Sequence, residues 1–220
     1  MRRTNAGFLT LTIVLLGGAG RATAQLAPQQ GLVEPNFTTD SALLAVPGVN
    51  AALVEALKSA RPILSITALD SILGAGSVAK PQRSQMYDRM FVHVDLNRGT
   101  DPEFLLIPGV DNAKLRAIKA GRPYKTFAQF ETALGKAASP AEVQRIARYV
   151  FIPMELNTFT QEIIESFAPI GVGTRRWIRE FNEYRPYTSM AQWEREISKY
   201  LRNNPNELKR LQRYVYIEGQ

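Results

Sequence analysis

Three short turns in this chain carry residue types able to hold a phosphate. The fullest set is Gly171-Val172-Gly173, followed by Arg175 and Arg176, with Arg179 one helical turn further on. Two glycines let a backbone approach a ligand closely and take left-handed angles. A helix start beyond them offers unpaired N–H groups and the positive end of a dipole. Arginines one turn later add a salt-sensitive attraction that ignores base sequence. A second turn, Pro108-Gly109-Val110-Asp111, is followed by Lys114 and Arg116, and a first, Pro47-Gly48-Val49-Asn50, meets no basic residue before Lys58. Asn50 and Asp111 stand where the second glycine would be. Both types are favoured helix N-caps, and a capping carboxylate at Asp111 would occupy the phosphate's place. The first two turns are therefore expected to be structural hairpins. The third is open between a hairpin and a grip.

Other chemistry finds little support. The chain has no cysteine, so thiol catalysis and thiolate metal sites are excluded. The one histidine, His93, lies in the extended apolar run "MFVHVDL", where a buried structural role is expected, since no second histidine completes a metal site. Carboxylates are scattered, and no glycine-rich nucleotide loop follows a strand. No enzyme activity, cofactor, metal or small-molecule substrate is expected. Trp177, Tyr184, Tyr187 and Trp193 could be stacking or interface residues, or simply core.

The elements that must position these turns recur three times. "EPNFTTDSALLAVPGV" from Glu34, "DLNRGTDPEFLLIPGV" from Asp95 and "ELNTFTQEIIESFAPIGV" from Glu155 share an asparagine, a threonine three residues later, a short helical pattern and a Gly-Val turn. The asparagine precedes the turn glycine by 12 residues at Asn36 and Asn97 and by 14 at Asn157. Arg61-Pro62, Arg122-Pro123 and Arg185-Pro186 each close a second helix, and a further helix and an extended tail end each copy. Thr100-Asp101-Pro102-Glu103 and Ser139-Pro140-Ala141-Glu142 predict capped helix starts. In the last helix Leu208, Leu211 and Val215 fall at helical spacing. The expected fold class is all-α, with three tandem modules over 33–94, 95–153 and 154–220, short extended joints, and a linker over 25–32.

Residues 1–24 read as a secretory signal peptide: Arg2 and Arg3, an apolar run from Gly7 to Gly20, and a small-x-small site at Ala22-Thr23-Ala24. Removing the three arginines of that segment takes the formal charge from +7 to +4, which is only mildly basic. An exported, periplasmic or otherwise extracytoplasmic location follows from this reading.

The Asn-x11-Gly spacing, the Pro-Gly-Val turns and the Arg-Pro closes resemble the exported helix-hairpin-helix proteins. Competence-type receptors that bind DNA for uptake and the extrinsic lumenal subunit of photosystem II are the relevant subgroups. The resemblance implies three helix-hairpin-helix modules and one of two partners. One is a protein, such as the outer face of a membrane complex; the other is DNA, held chiefly by the third module. The family's small residue six positions after the first glycine is replaced by Val54, Leu115 and Trp177, which implies that the paired helices are repacked.

Overall fold

The computed structural model describes residues 24–219 except 30 and 203; the signal-peptide expectation for 1–24 lies almost wholly outside them. The described chain is helical, with a few two-residue strands. In order it runs α1 (Asp40–Leu44), α2 (Ala51–Ser59), α3 (Ile66–Ala75), α4 (Lys80–Met86) and β1 (Val94–Asp95). Then come α5 (Asp101–Leu105), α6 (Asn112–Ala120), α7 (Phe127–Leu134), α8 (Pro140–Ala147), β2 (Val150–Phe151) and β3 (Met154–Glu155). The last stretch holds α9 (Gln161–Ser166), α10 (Arg175–Glu183), α11 (Met190–Ser198), α12 (Pro205–Gln212) and β4 (Val215–Tyr216).

Local side chains start most of these helices. Thr39 and Thr160 accept backbone N–H bonds at the heads of α1 and α9. At α5 the Glu103 carboxylate takes both the N–H and the hydroxyl of Thr100. Ser65, Thr126 and Ser189 do the same work for α3, α7 and α11. Such caps satisfy N–H groups that no helix can satisfy by itself.

The repeated asparagine and the repeated Arg-Pro are partners. Asn36 donates to the Ile63 carbonyl (2.8 Å) and accepts from its N–H (2.7 Å). Asn97 holds Tyr124 in the same way, and Asn157 holds Tyr187. The arginine one residue before each proline reaches back: Arg61 Nε bonds the Pro35 carbonyl, Arg122 the Leu96 carbonyl and Arg185 the Leu156 carbonyl, at 2.6–2.8 Å. All three Arg–Pro peptide bonds are cis. Each hairpin is thus stapled between the residues before its first helix and those after its second.

The extended tails pair with the start of their own segment. Val33 bridges Met90 in parallel, Val94 and Asp95 pair with Val150 and Phe151, and Met154 and Glu155 pair with Val215 and Tyr216. Val215 therefore belongs to β4; α12 stops at Gln212, because pairing with Met154 takes the chain out of the helical pattern.

Two hydrophobic cores hold the described residues. Residues from Leu32 to Ile152 share one, so the first two segments pack as a single body. The third segment forms the other, together with Leu26 and Phe151. The stretch 25–32 is packed where a linker was expected. Leu26 is buried and bridges Phe151, the Gln25 carbonyl accepts from Ile152 N–H (3.0 Å), and the Gln25 N–H donates to Ser166 Oγ. Its apolar leucine finds a site in the core of the third segment, which composition alone does not reveal. Arg213 of the third segment donates to the His93 carbonyl (2.7 Å), and Arg98 of the second to the Arg213 carbonyl (2.9 Å).

Candidate functional site at the helical turns

The three turn glycines adopt left-handed angles, with φ of 88° at Gly48, 86° at Gly109 and 78° at Gly171. Behind the first two turns the helix start is closed by a side chain. Asn50 accepts from Leu53 N–H (2.9 Å) at α2. Asp111 accepts from the N–H groups of Ala113 and Lys114, both at 2.9 Å, at α6. These bonds, with the Lys114 ammonium, pull the Asp111 carboxyl down to about 2. It stays charged at any ordinary pH, in the place a phosphate would need.

Lys114 is withdrawn as well. Its Nζ lies 2.9 Å from Asp111 Oδ2 and 3.3 Å from Glu142 Oε1, and the residue is buried. An ammonium shared by two carboxylates has little charge left for a ligand. Arg116 remains exposed. Pro47 and Asn50 are exposed beside the first turn, and Pro108 is half-buried beside the second.

The third turn differs in kind. Gly171, Val172 and Gly173 are all buried. A Cβ at Gly173 would stand 2.2 Å from the Ile164 carbonyl oxygen and 2.5 Å from the Ala168 nitrogen, so this glycine serves the close packing of its own hairpin. This copy, two residues longer before the turn, passes through a short 3-10 helix, Ala168–Ile170, directly before Gly171. Arg175, Arg176 and Arg179 are exposed at the start of α10, and Thr174 makes no side-chain cap there. The expected glycines and arginines are close in sequence, yet the fold buries the first group and exposes the second.

Each turn glycine also has a side chain from outside its own hairpin beside it. The tip of Gln82 on α4 lies over Gly48, the guanidinium of Arg145 on α8 over Gly109, and the ring of Phe37 over Gly171. On α12, Arg210 donates to the Ile170 carbonyl (2.7 Å) and is braced by Glu207. No sequence signal near the turns marks Gln82, Arg145 or Phe37, because each arrives from a distant position in the chain.

The expected interface aromatics are largely core. Trp177, Tyr187 and Trp193 are buried, Trp193 and Trp177 around Phe181, which removes them from any surface. Val54 and Leu115 are buried too. Tyr184 is half-buried, and its hydroxyl lies 2.5 Å from that of Tyr200. His93 is 1% exposed, bonded to Gln29 at 2.7 Å, and burial with the nearby Arg213 charge holds its imidazole down at about 3. Among the described residues no His/Cys/Asp/Glu group could hold a metal ion, and no helix is long and apolar enough to cross a membrane.

Two exposed leucines sit at matching places, Leu44 ending α1 and Leu105 ending α5, each beside one of the two outward turns. Comparison of the chain with protein-family models, with curated proteins and with solved structures gave no match.

Proposed function

We propose that this chain is an exported, non-catalytic interaction protein built from three tandem helix-hairpin-helix modules. Its role is to dock on a protein partner, such as the outer face of a membrane complex. One observation carries this reading: side chains close the first two turns, and the glycines of the third are buried. Asn50 and Asp111 cap their helices, Lys114 is held by Asp111 and Glu142, and Gly171 to Gly173 are buried. A hairpin retained in this condition serves as a rigid unit that presents surface, and Leu44 and Leu105 supply exposed apolar contact beside two of the turns. Protein contacts draw on such side chains, whereas phosphate contacts draw on free N–H groups and cations.

The reading is tested by fractionation, N-terminal sequencing and crosslinking in cells that make the chain naturally. The expected results are a mature protein beginning at Gln25, found outside the cytoplasm, and a discrete crosslinked protein adduct weakened by Leu44→Lys plus Leu105→Lys. A cytoplasmic, uncleaved chain without an adduct contradicts it.

A second reading, sequence-independent DNA binding, draws on the exposed Arg175, Arg176 and Arg179 at the α10 start that lacks a side-chain cap. It requires salt-sensitive duplex binding near physiological ionic strength that Arg175→Ala plus Arg176→Ala removes.

A further inference from the structure

Resting on the protein-docking reading, we propose that the groove beside α10 recognises an acidic peptide segment of the partner that carries an apolar side chain. The groove is about 730 Å³ in volume and is lined by Arg176, Arg179, Arg202, Phe37 and Glu207 among others. Its cations come from two places in the third segment, α10 and the chain just before α12, and its ring from the first. The site is therefore complete only when the first and third segments are packed together.

The charge balance favours an anion. Glu207 is matched by Arg210 at 2.7 Å. Glu180 lies buried beneath Arg179, whose own side chain stays 72% exposed. Arg176 is held in place by the Tyr200 carbonyl and by the Trp177 ring, 4.9 Å from its guanidinium carbon. Arg202 takes a left-handed φ of 48° in lining the groove. A surplus of positive charge remains, carried by planar forks that match carboxylates well. Phe37 is 50% exposed, the most open large apolar side chain among the described residues, and its ring adjoins Gly171 at the groove. It gives an apolar side chain a place to rest among the charges.

A peptide fits this arrangement better than a nucleic-acid strand. The Gly171 and Val172 N–H groups, which would hold a phosphate, donate instead to the Ala168 and Phe167 carbonyls. The arginines gather in one groove, whereas successive phosphates need cations spaced along a track.

The test is fluorescence anisotropy on the mature chain with three probes. These are a labelled peptide of alternating Asp and Glu around one Phe, its Asn/Gln counterpart, and a short labelled DNA duplex. Saturable binding of the acidic peptide is expected, weakened about tenfold or more in the Asn/Gln peptide and in Arg176→Ala plus Arg202→Ala. A smaller loss is expected for Phe37→Ala, and unchanged thermal midpoints would show that the variants fold. Absence of saturable peptide binding, equal affinity in the double variant, or tighter binding of the duplex would each overturn the assignment. If the partner crosslink in cells survives Arg176→Ala plus Arg202→Ala, the docking reading stands and the groove assignment falls.

Discussion

Single residues decide what the turns can do. Asp111 shows how a local signal can be read in advance: a favoured N-cap type between a turn and a helix was enough to expect a cap. Lys114 shows the opposite. Its pairing with Glu142 spans two helices, and no spacing rule announces it. Gly173 stood out as half of a phosphate grip, yet it is buried and packs directly against the backbone of Ile164 and Ala168. Two expectations follow. Gly173→Ala should destabilise the third segment more than Gly48→Ala destabilises the first, as read by thermal midpoints. The added methyl meets rigid backbone atoms at Gly173, but only the mobile tip of Gln82 at Gly48, where the left-handed angle still costs roughly 1–2 kcal/mol. The second concerns pH. The folded His93 is held near 3 against an ordinary 6.5, so the unfolded chain binds its proton first. Stability is therefore lost as pH falls from about 6.5 towards 3. The depressed carboxyls of Asp111 and Glu142, both near 2, add a further loss between about 4.5 and 2. Melting curves of His93→Gln should flatten the upper part of this dependence and leave the lower part.

At the scale of elements, the helical class and the threefold recurrence were visible in the sequence because capping residues and prolines act over a few positions. The staples were not. Asn97 and Arg122 were noted separately as repeated landmarks, while their shared purpose lies in bonds that cross the whole hairpin. Asn97 satisfies both the N–H and the carbonyl of Tyr124, whose side chain is buried. Asn97→Ala leaves both groups unpaired and should cost about 2–4 kcal/mol in chemical denaturation. Asn97→Asp retains the acceptor and loses the donor, so an intermediate loss is expected. A neutral result for Asn97→Ala would remove the staple from the account of how each hairpin is held.

For the molecule as a whole, the sequence divided the chain into three units of similar length, and packing divides it differently. The first two segments share one core, and the third recruits Leu26 from a stretch that read as a linker. A leucine among glutamine, alanine and proline carries no periodic pattern, so its destination was illegible. Leu26→Ala should lower stability by about 2–4 kcal/mol through the cavity it leaves, with hydrogen exchange rising first in the third segment. The proposed role is that these hairpins present their surface to a protein rather than to phosphate. It is tested most directly by placing a photo-reactive residue at Leu105, exposed beside the sealed second turn, in cells that make the chain naturally. One adduct of discrete mass is expected, which protease removes and nuclease does not. An adduct that nuclease digests, or the absence of any protein adduct, would contradict it.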